Sequence, residues 1–390
     1  MRKVHYISFF LNQNEINGRD LSVAALSKTS YIIEAIQKAG YEIQVVSTAL
    51  TLTGAGFSSK RELQITSQEN HVYLSALGSR NVLLKKLKQP YMQLQLLLYL
   101  IKYVKGNDIV LAYHSLSYMK VMKLFKFLKS NHYVLEFNDL YALHYMNRNK
   151  MTKIRKKECR FLKLPDAFLL ASPYMKKLIT GNKPSIISYG SYKVKPSFHQ
   201  LEDGKIHVVY SGVIENMRKA AKLVANTAKY LTDQYVIHIA GYGTTKCMNQ
   251  IENLCKKINN SMGYCAIIFH GLLLGDELDE LLDNCKIALN CHTYKEYDLW
   301  KSKFSFPSKI PLNMSHGLYL VSHDMSVIFY SKFAEFTTFF LNFTPKAVAE
   351  AIVESVDKIK SSDLNRTPKD LISEMDESFV KSIKTLFSKL

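Results

Sequence analysis

Short apolar runs alternate with helical segments along the chain, and this alternation limits the fold more than any other feature. The first half shows it in KVHYISFF, NDIVLAYHS, HYVLEFND and DAFLLAS. The runs have the length of buried strands, and the stretches between them carry apolar residues at helical spacing. Strands that alternate with helices predict a parallel sheet covered on both faces.

The same alternation begins again after the polar, proline-containing segment KVKPSFHQLEDGK. Strand-like runs follow in IHVVYSG, YVIHIAGYG, AIIFHG and KIALNCH. We therefore predict an α/β protein with two Rossmann-like domains, 1–198 and 203–345, that face a central cleft. Helices over 346–390 are expected to pack back on the first domain. A ligand would bind at the carboxyl ends of both sets of strands.

Charge is distributed unevenly along the chain. Residues 1–200 hold 30 Lys and Arg against 11 Asp and Glu, whereas residues 201–390 hold 22 of each, so the first half carries the whole net charge of +19. This asymmetry predicts that the first domain faces a polyanion, either nucleic acid or an anionic membrane surface. Nucleic acid is disfavoured, because no helix-turn-helix, zinc module or aromatic-basic RNA-binding signature is present.

Two segments of the first half suit a membrane surface. The stretch LLKKLKQPYMQLQLLLYLIKYVKG mixes lysines with a broad apolar face, and RNKMTKIRKKECRFLKL is densely cationic. The longest apolar runs, such as Leu94–Ile101, are much shorter than the roughly 20 residues that cross a bilayer. We expect a cytoplasmic protein, peripheral on the inner face of the cell membrane. An ordinary core helix at Leu94–Ile101 is the alternative.

Glycines end strand-like runs of the second domain. Gly212 closes the run YSG before a loop that contains Arg218, and Gly241 and Gly243 lie in the corner AGYG. Backbone N–H groups at a glycine, together with an arginine, would bind a diphosphate, although a turn with solvated cations is equally compatible. AGYG lacks the third glycine and the downstream acid of a dinucleotide fingerprint, so it favours nicotinamide binding only weakly.

Two more segments complete this set of candidates. Gly271 ends the run AIIFHG, and the backbone at Leu272 would lie either against a flat base or in a buried loop. In FPSKIPLNMSHG a first-turn proline and Ser308 begin a predicted helix that Gly317 ends. Lys309 projects from its first turn, where it would either reach a ligand or remain a surface lysine.

Taken in order, these segments resemble the GT-B glycosyltransferases, and within them the retaining family 4 type. The second domain of that family has a glycine loop that ends in a basic residue, similar to YSGVIENMRK. A strand ending in Gly-x-Gly and a Phe-Pro-Ser-Lys-Ile helix follow, similar to IAGYG and FPSKI. The first domain matches more loosely, in VLEFNDLYA and KKECRFLKLPDAFLLASPYMKKLI. The resemblance covers roughly residues 1–345.

The resemblance implies transfer of a sugar from a nucleotide-diphosphate donor, with retention and without a metal or other cofactor. The acceptor would be a saccharide, lipid-linked in the bacterial synthesis of surface polysaccharide or glycolipid. The donor-binding residues would be Gly212, Gly241, Gly243, Gly271, Leu272, Ser308 and Lys309. Arg218 and Lys309 would stabilise the leaving diphosphate. Phe304 and Leu312 stand where many members carry glutamates, so an inactive scaffold or activating partner is the alternative.

An inverting reaction would need a general base in the first domain. His114, in AYHSLSY, and Asp139 or Glu136, in LEFND, lie at predicted strand ends and are the candidates. A buried, hydrogen-bonded His114 and an Asp139 that caps the next helix are the alternatives. The residues alone leave retention and inversion open.

Overall fold

The chain forms two compact units, each built around its own sheet. The first unit comprises Met1–Ser191 and Asp376–Leu390, and the second comprises Tyr192–Met375. The computed structural model describes residues 2–11, 19, 23–51, 56–78, 81–144, 147–196, 203–215, 220–291, 303–323, 325–361 and 366–390.

The described residues of the first unit form an eight-stranded sheet. Its strands are β1 (Lys3–Ser8), β2 (Glu42–Ser47), β3 (Arg61–Gln64), β4 (Glu69–Tyr73), β5 (Ile109–Tyr113), β6 (His132–Phe137), β7 (Ala167–Leu170) and β8 (Ser185–Ile187). They lie in the order β3-β4-β2-β1-β5-β6-β7-β8, with β3 antiparallel and the others parallel. The order reverses between β1 and β5, where open α/β sheets bind ligands.

The helices of the first unit cover both faces of this sheet. They are α1 (Val23–Lys38), α2 (Val82–Tyr103), α3 (Met119–Leu128) and α4 (Arg148–Phe161). Right-handed crossovers place α2, α3 and α4 on one face and α1 on the other. The end of the chain packs against α1, where the ring of Tyr31 stacks on Phe379 at 5.7 Å and its hydroxyl donates to Asp376 at 2.7 Å.

The described residues of the second unit form a six-stranded parallel sheet. Its strands are β9 (Ile206–Ile214), β10 (Tyr235–Gly243), β11 (Ile267–Gly271), β12 (Ile287–Asn290), β13 (Tyr319–His323) and β14 (Thr337–Phe340). The order is β11-β10-β9-β12-β13-β14, so the reversal falls between β9 and β12. Both predicted sheets are therefore confirmed.

Seven helices follow in the described part of this half of the chain. They are α5 (Ala220–Thr227), α6 (Thr245–Met262), α7 (Asp276–Asp283), α8 (Lys309–Ser315), α9 (Ser326–Phe329), α10 (Pro345–Ser361) and α11 (Pro368–Ser388). Among the helices that the structure describes, none is both long enough and apolar enough to span a membrane.

The two C-terminal helices pack in different units. The part of α11 from Asp376 onward packs on the first unit, as predicted. Helix α10 does not, because Val348, Ile352 and Val356 complete the core that the second sheet forms with α5 and α6. The prediction that both helices pack on the first domain is therefore wrong for α10.

The ends of β9 and β10 approach each other closely. Gly241 pairs with Gly212, and Gly243 pairs with Ile214. A methyl group at Gly241 would lie 1.8 Å from the carbonyl oxygen of Gly212, and one at Gly243 would lie 2.1 Å from that of Ile214. Because backbone atoms cannot rotate away, the segment predicted as an AGYG corner is a strand that requires glycine.

Gly241→Ala should lower the free energy of unfolding by roughly 2–3 kcal/mol, because the added methyl group must push β9 and β10 apart. Urea denaturation followed by circular dichroism measures the change. Gly106→Ala is the matched control, since nothing lies within 4 Å of a methyl group there. Equal losses in the two variants would contradict the steric explanation.

Candidate functional site

The predicted donor-binding residues of the second unit gather at the carboxyl edge of its sheet. Gly212 and Gly241 lie side by side near the ends of β9 and β10. Strand β12 is the other neighbour of β9, and the chain passes from β12 through α8 to the parallel strand β13. A helix that connects parallel strands begins at the carboxyl edge, so Lys309 starts α8 there. This edge includes the reversal of strand order.

Lys309 is an exposed residue at the first position of α8. Desolvation of its ammonium group by the surrounding protein lowers the pKa of Lys309 to about 8. Ser308 is the N-cap residue, as predicted, but its hydroxyl makes no capping hydrogen bond.

Gly271 and Leu272 lie at the outer side of the same sheet. Gly271 ends the edge strand β11 with a φ of +72°, a conformation that favours glycine. Leu272 is 51% exposed, so the loop after β11 is open to solvent and not buried. Arg218, the other predicted diphosphate ligand, lies outside the described residues. The donor-binding role of all these positions stays a prediction.

Three histidines of the second unit form a hydrogen-bonded row that sequence reasoning missed. Nε2 of His207 donates to the carboxylate of Asp203 at 3.1 Å. Nδ1 of His207 is 2.8 Å from Nε2 of His238, and Nδ1 of His238 is 2.9 Å from Nε2 of His270. The row ends next to Gly271. One histidine in each of three consecutive strands was the available signal.

The polar row is kept neutral in its interior. The backbone N–H of Lys205 and the ring of His207 lower the pKa of Asp203, which favours its ionised, accepting form. Desolvation, with smaller contributions from the two neighbouring rings, lowers the pKa of His238 to about 3. Desolvation also lowers the pKa of His270.

A buried ion pair organises the carboxyl edge of the first sheet. Nζ of Lys28 donates to Oδ1 of Asn138 and, at 2.8 Å, to the carbonyl of Ser188, and it lies 3.7 Å from Glu136. Glu136 also accepts hydrogen bonds from Asn138, at 2.8 Å, and from the hydroxyl of Tyr6. Burial lowers the pKa of Lys28, and Glu136 opposes that shift. In the sequence, the feature that could have predicted this network was Glu136, a lone acid inside the apolar strand β6.

The two predicted catalytic residues of the first unit are brought together. Nδ1 of His114 donates to the carbonyl oxygen of Asp139 at 3.0 Å. The residue His114 is only 2% exposed, and its burial lowers its pKa to about 3, whereas Asp139 is exposed. The geometry therefore corresponds to the buried, hydrogen-bonded His114, and Asp139 is the accessible carboxylate. A role as general base stays a prediction for both.

In the described part of the chain, no three His, Cys, Asp or Glu side chains group as a metal site would require. Phe304 and Leu312, which stand where the resembled family has glutamates, are both half-buried. Leu312 lies on α8, one turn after Lys309.

No protein-family model and no curated protein matches the sequence. Solved structures match it over nearly its full length. A sucrose-phosphate synthase from Thermosynechococcus elongatus is 12% identical, with 100% of this chain and 98% of that chain covered and a TM-score of 0.65. An E. coli trehalose-6-phosphate structure with bound UDP-2-fluoro glucose is 9% identical, with 99% and 97% covered and a TM-score of 0.63.

A UDP-forming α,α-trehalose-phosphate synthase from Burkholderia xenovorans is also similar, at 9% identity, with 99% of both chains covered and a TM-score of 0.62. At these identities the likeness establishes the fold. The chain is an α/β protein of the GT-B fold with two Rossmann-like domains, as the resemblance implied.

If a nucleoside diphosphate binds at this edge, raising the pH through about 8 should weaken its binding, because Lys309 then loses its proton and its charge. A hydrogen bond to a charged group contributes about 1.5–3 kcal/mol, so affinity should fall roughly 10-fold or more. Calorimetry between pH 7 and 8.5, below the ionisation of the uracil ring, measures the dissociation constant of uridine diphosphate. Lys309→Arg keeps its charge over this range and should bind independently of pH. The same fall in Lys309→Arg would remove Lys309 as the cause.

Proposed function

We propose that the protein is a glycosyltransferase that uses a nucleoside-diphosphate sugar. The observation that carries the proposal is the carboxyl edge of the second sheet, where a glycine-lined reversal of strand order lies beside the cationic first turn of α8. The full-length likeness to structures described as UDP-forming or bound to a UDP-sugar supports the same reading. A uridine nucleotide is therefore the first donor to test.

Stabilisation of the leaving diphosphate is the chemical task of such a site. Negative charge grows on the diphosphate as the anomeric bond breaks, and fixed positive groups lower the energy of that transition state. In this proposal Lys309, Arg218 and the backbone N–H at Gly212 supply the charge, without a metal or other cofactor. With retention, the donor phosphate takes the proton of the acceptor hydroxyl. With inversion, the exposed Asp139 would take it.

The face formed by α2, α3 and α4 supports a membrane-associated acceptor. These three helices contain fourteen Lys and Arg and one acidic residue, Glu158, which is buried. Basic residues near an anionic lipid surface contribute about 1 kcal/mol each. We propose that this face docks on the inner leaflet of a bacterial cell membrane, and that the acceptor is a lipid-linked saccharide in surface polysaccharide or glycolipid synthesis.

Apolar side chains on α2 and α3 accompany this charge. Leu96 and Leu100 of α2 are buried, while its other side exposes Leu94 and Leu98. On α3 the ring of Phe127 is 85% exposed. The two helices contact each other, and Gln93 of α2 donates to the carbonyl of Ser117, two residues before α3, at 2.7 Å. The same α2 thus serves as a core helix and presents an apolar surface.

Uridine diphosphate and one UDP-sugar should raise the melting temperature, since a ligand that binds only the folded state stabilises it by about 2.7 kcal/mol at 100 times its dissociation constant. Uridine alone, without the diphosphate, is the control. Radiolabelled transfer to a lipid-linked saccharide and to a sugar phosphate identifies the acceptor class. Binding without transfer to any acceptor would favour the inactive scaffold that Phe304 and Leu312 suggest. No shift with any nucleotide sugar would refute the transferase.

The protein should float with vesicles that contain anionic lipid and stay in the bottom fraction of the gradient with neutral ones. Reversal of four charges, at Lys153, Arg155, Lys156 and Lys157, should weaken binding at least roughly 100-fold. Phe127→Ser should weaken it separately, because the ring is exposed and contributes only when inserted. Reversal of the exposed Lys256 in the second unit is the control. Unchanged flotation in the four-charge variant would end the membrane proposal, and binding to RNA alone would favour the nucleic-acid alternative.

A further inference from the structure

Glu158 is a buried carboxyl group on an otherwise strongly basic helix. It lies on α4 among seven Lys and Arg and is 1% exposed. Its Oε1 accepts the backbone N–H of Tyr141 at 2.9 Å, and its Oε2 lies 3.5 Å from that of Ala142. Glu158 therefore holds the start of the short 3-10 turn Tyr141–His144, just after Asp139.

His114 holds the same segment from the other side. Its backbone N–H donates to the carbonyl of Glu136 at 2.9 Å, and Nδ1 donates to the carbonyl of Asp139 at 3.0 Å. Because Nδ1 carries the proton of that bond, Nε2 of the neutral ring is an acceptor. Nε2 is buried and has no hydrogen-bond partner within the described residues, and Oε1 of Glu158 is 3.6 Å away.

The surroundings of this pair favour a neutral state with one proton. Three aromatic rings enclose the imidazole, those of Phe137, Tyr141 and Phe161. Burial lowers the pKa of His114 to about 3, and burial raises the pKa of Glu158 to about 7. The charge of Asp139 raises the pKa of Glu158 further, whereas the N–H groups of Tyr141 and Ala142 oppose the increase. A protonated carboxyl group is a donor, and Nε2 is the acceptor nearest to it.

We propose that Glu158 is a positioning residue whose protonated carboxyl group faces the lone pair of Nε2 of His114, and that this carboxyl proton fixes the segment from Asn138 to Tyr141. The separation of 3.6 Å is longer than a hydrogen bond, so the proton stays on the carboxyl group and the pair keeps no net charge in its buried place. When the proton is lost, a carboxylate faces the lone pair of the imidazole without a donor between them. The two groups then repel each other, and the hydrogen bond from Nδ1 of His114 to the carbonyl oxygen of Asp139 weakens.

A consequence for acceptor binding rests on the proposed function. Asp139 is the exposed carboxylate at this edge, and an acceptor hydroxyl would approach it there. Loss of the carboxyl proton of Glu158 near pH 7 should therefore raise the KM for the acceptor and leave kcat largely unchanged. Glu158→Gln cannot ionise, so its KM should stay constant where that of the wild type rises.

The direct test needs no substrate. The full chain labelled with ¹⁵N-histidine is titrated from pH 5 to 9, and the ring nitrogens of His114 are assigned from the spectrum of His114→Gln. In the wild type, Nε2 should remain unprotonated and its resonance should move with a midpoint near pH 7. The movement should disappear in Glu158→Gln and persist in the control Glu354→Gln, whose side chain is exposed.

A resonance of Nε2 that stays constant from pH 5 to 9 in the wild type would overturn the proposal. An unchanged inflection in Glu158→Gln would overturn it as well, since another group would then be responsible. An inflection that depends on Glu158, in a protein that transfers no sugar, would support the positioning role of the Glu158 proton and refute the glycosyltransferase.

Discussion

The carboxyl edge of the first sheet depends on the buried ammonium group of Lys28. Removing a cation from water costs several kcal/mol, and the protein offsets this cost with Glu136, the amide of Asn138 and the carbonyl of Ser188. These partners come from β6, the residue after it and the end of β8. Breaking such a buried pair by removing one partner costs about 3–5 kcal/mol. The position of Asn138 follows from this one charge, whereas Asp139 next to it is held by His114.

The second unit builds its carboxyl edge without such a pair. There the backbones of β9 and β10 approach until only glycine fits at Gly241 and Gly243. The edge of the second unit is thus bare backbone at these glycines, whereas the edge of the first unit exposes the carboxylate of Asp139.

Much of the fold could be predicted from the sequence, because a buried parallel strand leaves a local apolar run. Strand β3, with the polar sequence RELQ, leaves no such run, since it lies antiparallel at an edge. The AGYG segment looked like a corner because glycine usually marks turns, and only the register with Gly212 shows it to be a strand. The side of α10 was missed because its apolar face is equally suited to either sheet.

The candidate site was partly predictable for a similar reason. Glycines at strand ends and Lys309 at a helix start carry local signals, and the structure places them at one edge. Lys28 and Glu136 are 108 positions apart in sequence, and Glu158 is 44 positions beyond His114. Their partnership depends on strand order and crossover, which no local pattern records. Sequence reasoning therefore found His114 and Asp139 but not the groups that hold them.

The histidine row of the second unit has a directional consequence. Because the carboxylate of Asp203 can only accept, it fixes the tautomer of His207, which in turn fixes those of His238 and His270. The three N–H bonds therefore all point the same way, and one surface charge sets the polarity of a strip that crosses three strands. An imidazolium at an inner position of the row would turn the acceptor nitrogen of that ring into a donor, which would break the series of hydrogen bonds. A single carboxylate at the amino edge of the sheet therefore determines that Nδ1 of His270, next to Gly271, carries a lone pair and no proton.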